Sequence, residues 1–480
     1  MKRSYLALLV SVIFILATAG VSFAAMGEGT VSAKKGVDLT LFGNNRFIPT
    51  YSTNLIDFDS SNPSGNDPLT LDEGGFGAGF FVRNELRIGF AGKGENFGFK
   101  VILENDIHYS KDNVDRNTYS GYGNVSSDFG SEFSVERSNF WYDFGPVKLS
   151  TGWDVTFQDL KTGGLLYGDD HPYIMLSGEV DKVMDWQVYM LLINDSDDVN
   201  STGGNHYRDT DWYTYNAKFN FKFCGLTLSP FFTYSDMRKG IQKYGNAQAY
   251  YAGFEGYGKI GMLMPSFEVV GVTGTINDAA PGGKDYDIRS WAAFAALKLD
   301  LMPEFQPYLG GFYVQGDDDL TDDDAEGFVG ITNITRYTPT FGMEGAIMYE
   351  HLGSLGAPLY GLVPERLGGG SATYGGIGAG GTGNNPGLIY LGMGATGKLD
   401  KVSYKVQTAY MWFAEKDGLN LKNDEIGWTV DALVTYPLSS NVVTSFCTSF
   451  LDPGDGVQDL LGKKADDTAW ISRLEICWSW

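Results

Sequence analysis

The chain has 480 residues, 59 of them acidic and 35 basic, for a formal net charge of −24. Binding to a phosphate backbone needs a basic surface, so nucleic acid is excluded as a partner. With 64 glycines, 14% aromatic residues and a slightly negative mean hydropathy, and with no Pro-rich or Ser-rich linker, the sequence reads as one large all-β unit in which alternate strand residues are apolar.

At the N-terminus, Lys2 and Arg3 precede an apolar run from Tyr5 to Ala19, and Ser22-Phe23-Ala24 puts small residues at both cleavage-determining positions. This predicts a secretory signal peptide over 1–24, cut after Ala24, and a single mature domain over 25–480. No Cys lies near the cut to carry a lipid anchor. Beyond it, no apolar stretch approaches the roughly 18 residues of a transmembrane helix, so entry into a membrane requires a closed barrel.

Period-two alternation then recurs along the chain. Val37, Leu39 and Leu41 share one face, which turns Arg46 to the other. Leu86, Ile88 and Phe90 oppose Arg83, Glu85 and Arg87. Phe97, Phe99, Val101 and Leu103 oppose Lys100, Glu104 and Asp106. The fourth strand is ambiguous, with Glu136 and Arg137 at a similar height. Val147, Leu149 and Trp153 oppose Lys148 and Asp154. Strong alternation returns at Tyr213–Phe223 and Val402–Trp412. The connections also alternate. Short turns fall at Gly92–Asn96, Gly145-Pro146, Lys182–Asp185, Cys224-Gly225, Gly261–Pro265, Leu301–Glu304, Lys398–Lys401 and Pro437–Asn441. Long polar stretches fall at 50–77, 110–131, 156–172, 195–209, 237–247, 277–286, 316–338, 364–387 and 452–467. Short turns on one side and long loops on the other predict a transmembrane antiparallel barrel of 18 strands, with 16 or 20 as alternatives. Within 339–387, Phe341–Glu350 reads as one strand and Pro358–Val363 as a short second one. The Gly-rich run Gly368–Gly383 reads as a loop or a segment folded into the lumen.

The wet faces place Arg46, Arg83, Arg87, Lys100, Arg137 and Lys148 on one wall of the lumen, with Glu85, Glu104, Asp106 and Asp154 among them. Either this wall is a charged filter or its acids and bases pair to satisfy one another. The acidic runs Asp195–Asp198 and Asp317–Asp324 lack the fixed spacing of a calcium loop and read as solvated loops, with cation bridging to lipopolysaccharide as the alternative. Cys447 and Cys477 fall on the polar faces of the last two strands, where a disulfide is possible and two isolated thiols equally so. The last strand alternates Leu474, Ile476, Trp478 and Trp480 with Arg473, Glu475, Cys477 and Ser479, and ends on an aromatic that suits a membrane–water boundary. Neither GxSxG nor HExxH occurs, and none of the four His, His108, His171, His206 and His351, stands in a recognisable nucleophile motif. The sequence thus offers no catalytic residue, cofactor site or metal site, and the expectation is a protein that is not an enzyme.

Two segments resemble the general bacterial porins, and the anion-type porins in particular. One is Arg83-Asn-Glu-Leu-Arg-Ile-Gly-Phe-Ala-Gly92 with Phe97-Gly-Phe-Lys-Val-Ile-Leu-Glu104. The other is Phe140-Trp-Tyr-Asp-Phe-Gly-Pro-Val-Lys-Leu-Ser-Thr-Gly-Trp153. With the terminal strand, they cover about a quarter of the chain. The family's last residue is usually Phe, and here it is Trp480. The resemblance implies a signal read by the outer-membrane barrel assembly machinery, a homotrimer in a lipid and lipopolysaccharide membrane, and passive diffusion of small hydrophilic solutes. It also implies that the loop over 156–172, with Asp159, Lys161, Asp169, Asp170 and His171, folds into the lumen and faces the basic wall with its acids. Wall charges lie closer to a passing solute than loop charges do, which favours anions at the constriction. Two other readings are a barrel with a plugged lumen that binds a partner, and a membrane-embedded hydrolase.

Overall fold

A computed structural model of the chain describes residues 27–33, 36–54, 58, 79–109, 133–194, 212–237, 247–280, 284–319, 321–333, 337–348 and 386–480. Eighteen strands pair antiparallel, each with its sequence neighbour. They are β1 (Val37–Thr53), β2 (Gly79–Lys93), β3 (Phe97–Tyr109), β4 (Ser134–Asp143), β5 (Lys148–Phe157), β6 (Tyr167–Val180), β7 (Met184–Asn194), β8 (Trp212–Phe223), β9 (Leu226–Met237), β10 (Ala247–Gly258), β11 (Leu263–Ala280), β12 (Lys284–Leu299), β13 (Gln306–Val314), β14 (Leu388–Leu399), β15 (Val402–Trp412), β16 (Glu425–Pro437), β17 (Val442–Pro453) and β18 (Ala469–Ser479). β18 pairs back onto β1, from Asn44 against Ser479 to Thr53 against Trp470, so the sheet closes. Closure leaves no edge to hydrogen-bond elsewhere, which is what a sheet in lipid requires. A short ribbon, Gly27–Ala33, pairs with Val37–Gly43 of β1 and continues the lane where β18 stops at Trp480.

The alternation in the sequence becomes a two-sided wall. Large apolar side chains at Leu41, Phe140, Phe232, Leu391, Phe446 and Trp478 stand exposed, and Leu309 and Met393 reach 63% exposure. An outer surface this apolar is stable in hydrocarbon and costly in water. On it, Tyr215, Tyr234 and Tyr250 sit opposite one another on β8, β9 and β10, with ring centroids 6.1 and 4.9 Å apart. The expected outward set Leu474, Ile476, Trp478 and Trp480 faces away from the lumen, while Arg473, Glu475 and Cys477 are buried within it.

Two features differ from expectation, and a third decides between two alternatives that the sequence leaves open. β13 pairs directly with β14, Gln306 opposite Thr396, so Phe341–Glu350 supplies no wall strand. Its described residues 341–348 lie buried inside the barrel instead. Pro358–Val363 and Gly368–Gly383 fall outside the described residues, as does the acidic run Asp195–Asp198. A further loop, residues 413–424, separates β15 from β16, and the connection between β11 and β12 is only residues 281–283. Finally, Cys447 lies opposite Arg473 and Cys477 opposite Val443. Four residues of strand, about 13 Å, separate the two thiols, beyond the roughly 7 Å limit between the Cα atoms of a disulfide. Neither cysteine is in a disulfide.

Candidate functional site

Among the described residues, two segments fold furthest into the lumen. The first, residues 158–166, joins β5 to β6 and crosses towards β10–β12. Gly163 permits the crossing, because a Cβ there would lie 2.6 Å from Cβ of Phe294. The Glu268 carboxylate receives Thr162 Oγ1 at 2.8 Å and the amides of Gly163, Gly164 and Leu165 at 2.9, 3.1 and 3.3 Å. Asp159 closes the other end, accepting from the amides of Leu166 and Tyr167 at 2.5 and 3.0 Å. Lys218 donates to the Gln158 carbonyl and to Glu255, and Glu255 also accepts from Thr162 at 2.9 Å. The carboxylates satisfy amides that have no sheet partner, which fixes an irregular backbone inside the barrel.

The second segment follows β13. Asp324-Ala325 pairs parallel to Asp287-Ile288 of β12, and Thr332-Asn333 parallel to Tyr167-Gly168 of β6. Phe328, Val329 and Ile331 pack in the core, with the Ile331 amide on the Leu166 carbonyl at 2.9 Å. Further along, Phe341 enters a box of Phe294, Tyr308, Phe312 and Tyr390, with ring centroids 5.2–6.4 Å away. Gln407 donates to the Phe341 carbonyl at 2.9 Å and Lys405 to that of Gly342 at 2.6 Å. The Ile347 amide donates to Ser449 Oγ at 3.0 Å.

The charged wall exists, in mixed form. Arg83 and Arg87 meet Glu85 at 3.2 and 3.1 Å, and Arg87 meets Glu104 and Glu136 at 3.2 and 3.0 Å. Arg46 meets Glu85 at 3.0 Å, Glu475 at 2.7 Å and Glu344 at 2.5 Å, and Arg473 shares both Glu475 and Glu344. Arg137 approaches Asp154 at 3.6 Å. A bulge explains the ambiguity on β4. Ile102 opposes Arg137 while Leu103 opposes Val135, leaving Glu136 as the extra residue, so both Glu136 and Arg137 turn inward. The expected basic ladder is therefore corrected to a network of alternating arginines and glutamates. Arg46 is only 3% exposed beneath Glu344, so it is covered rather than pore-lining. The Asp106 side chain falls outside the described residues.

The constriction loop is shorter than 156–172. Asp169, Asp170 and His171 lie on β6, directly opposite Thr156, Val155 and Asp154 of the adjacent strand β5, and do not hang across from the arginines. Asp170 accepts from the Trp153 indole at 3.2 Å, and His171 Nδ1 lies 3.1 Å from the Tyr167 hydroxyl. Asp159 is spent on its own loop. Lys161 is the exposed residue at the loop's tip.

Beside this loop lies a lumenal cavity of about 490 Å³. Lys100, Lys148, Lys161 and Lys218 line it, with Asp154 as the carboxylate among its walls, and Trp141, Tyr173, Tyr189 and Tyr257 supply aromatic surface. Lys148 stands 5.2 Å over the Trp141 ring. With Lys218 neutralised by Glu255 and Asp154 offsetting one further lysine, the lining keeps a positive excess. Lys218, Glu255 and Glu268 carry this region and were not singled out in the sequence, although strand parity alone turns each of them inward. Glu344 lies off the strands and gave no such signal.

A closed 18-stranded barrel, apolar outside and charged within, with a short loop folded across its bore, is the architecture of a bacterial outer-membrane porin. The fold is that of the OccK porins. The outer-membrane protein OpdK of Pseudomonas aeruginosa superposes with a TM-score of 0.52 at 9% identity, over 94% of this chain and 99% of that one. OccK2 (OpdF) of the same bacterium, in complex with glucuronate, gives 0.51 at 12% identity over 94% and 99%. OpdK with vanillate gives 0.51 at 10% identity over 91% and 98%. At these identities the likeness is one of fold. No protein-family model and no curated protein matches the chain.

Proposed function

We propose that the protein is an outer-membrane channel through which small hydrophilic anions diffuse, and that it does no chemistry on them. The lysine-lined cavity carries this reading. Its volume suits a small organic solute, its lysines attract negative charge, and its aromatic rings offer an apolar face. Among proteins of this fold, OccK2 was crystallised with glucuronate and OpdK with vanillate, both carboxylates. The arginine–glutamate wall contributes alternating fields rather than a net attraction, so selectivity belongs to Lys100, Lys148 and Lys161. In the same reading, the signal peptide is removed after Ala24, Trp480 ends the strand read during assembly, and three copies associate in a membrane of lipid and lipopolysaccharide.

Reversal potentials in a KCl gradient test the anion preference, with chloride predicted to carry most of the current. Lys161→Glu changes the cavity charge by two units, worth on the order of 1–2 kcal/mol at about 5 Å in water. The chloride-to-potassium permeability ratio should then fall by about tenfold. Potassium carrying most of the wild-type current, or a ratio unmoved by the substitution, would refute the assignment.

A further inference from the structure

We propose that Glu344 is a built-in competitor: its carboxylate occupies a two-arginine receptor for the carboxylate of a solute, and solute displaces it to release the segment 337–348 from the bore. The inference rests on the channel reading and adds a gate to it. Arg46 on β1 and Arg473 on β18 are brought together by barrel closure, since Arg473 lies opposite Thr50. Their Nη2 atoms converge on one oxygen, Oε1 of Glu344, at 2.5 and 2.7 Å. Two guanidinium groups aimed at one point form a carboxylate site. The same two Nη2 atoms also meet Oε2 of Glu475 on β18, at 2.7 and 3.0 Å, so Glu344 is the carboxylate that a loop adds to one the wall already supplies.

Removal of Glu344 leaves the wall satisfied. Arg46 keeps Glu85 and Glu475, and Arg473 keeps Glu475. Withdrawal therefore strands no buried cation, which is what makes most buried ion pairs hard to break. An incoming carboxylate restores the same charge at the same point. Among the described residues, 337–348 has no ladder partner in the sheet. Side chains hold it instead: Lys405, Gln407 and Ser449 on its backbone, and the aromatic box around Phe341. Gly345, at φ +87°, turns the chain immediately after Glu344, and a Cβ there would press on Arg473 Cδ and Cys447 at 3.2 and 3.3 Å. A segment docked this way can leave without unzipping a strand.

The test is the current through the refolded full-length protein in planar bilayers, with potassium acetate added at constant chloride and each current divided by the bulk conductivity of its solution. Wild-type current should rise and saturate with acetate. Glu344→Gln should carry about fivefold more current in chloride alone, the lower end of couplings between a ligand and a two-state element, and should lose the acetate response. Block by acetate, or a linear response shared by wild type and variant, would overturn the gate while leaving the channel intact. Phe341→Ala, which empties the aromatic box but keeps Glu344, should raise the chloride current and retain an acetate response. Silence of wild type and both variants in every salt, from protein shown to be folded by its heat-dependent migration on gels, would instead refute the channel reading and the gate with it.

Discussion

Asp317 shows how a single residue in an outer loop can make the lumenal plug respond to pH. It follows β13, is buried, and accepts from the amides of Asp319 and Glu326 at 3.1 and 3.3 Å. Burial pushes its carboxyl up to about 7, and the nearby Asp322 and Glu326 add to the effect against the pull of those two amides. A carboxyl with a raised folded-state pKa binds its proton more tightly folded than unfolded. Hold on the loop is therefore gained as pH falls through about 7 and levels off near the ordinary Asp value of about 4. The protection factor of the Phe328 amide, bonded to the Gln315 carbonyl at 2.9 Å, should be higher at pH 5 than at pH 8. In Asp317→Asn the difference should flatten, and greater protection at pH 8 would contradict the assignment. At this scale the sequence was legible where strand parity applied. Arg46, Arg83, Glu85, Arg87 and Lys148 all turn inward as alternation predicts. It was illegible where partners come from afar, since Glu344 reaches Arg46 across 298 positions.

At the scale of elements, the strands were readable because lipid demands an apolar residue at every second position, and a single slip would turn every side chain over. The errors fall where that demand lapses. Phe341–Glu350 is apolar enough to pass for a strand, yet its apolar residues fill the lumen. The loop over 413–424 was passed over because Phe413, Leu419 and Leu421, which pack against the lumenal core, interrupt its polar run. The acids Asp169 and Asp170 were placed in a loop that turned out to be strand. Backbone constraints also operate at this scale. Gly152 on β5 has φ +137°, and a Cβ there would lie 1.9 Å from the Ser138 carbonyl oxygen of β4. Gly152→Ala should part the two strands beside the charged wall and destabilise the barrel by on the order of 1–3 kcal/mol. A lower urea midpoint of the refolded barrel in detergent would show this, and an unchanged midpoint would contradict it.

For the whole molecule, the strand number came out at 18 by compensation: Phe341–Glu350 supplies no strand to the wall, and the loop at 413–424, which divides 402–437 into two strands, was missed. The parity of short turns and long loops fails only between β11 and β12, where three residues join the strands, and otherwise holds because it follows from crossing a membrane rather than from any local motif. What the sequence could not display is how far the bore is filled. The inward loop 158–166 and the described residues 326–333 and 337–348 fill part of the bore, and the lysine-lined cavity lies beside the loop. The account stands or falls on whether that arrangement conducts. Single-channel recording of the refolded protein in a planar bilayer measures this directly. Discrete current steps that carry chloride in preference to potassium are predicted, small in chloride alone and larger once acetate is added. A folded barrel with no current in either salt would contradict the account.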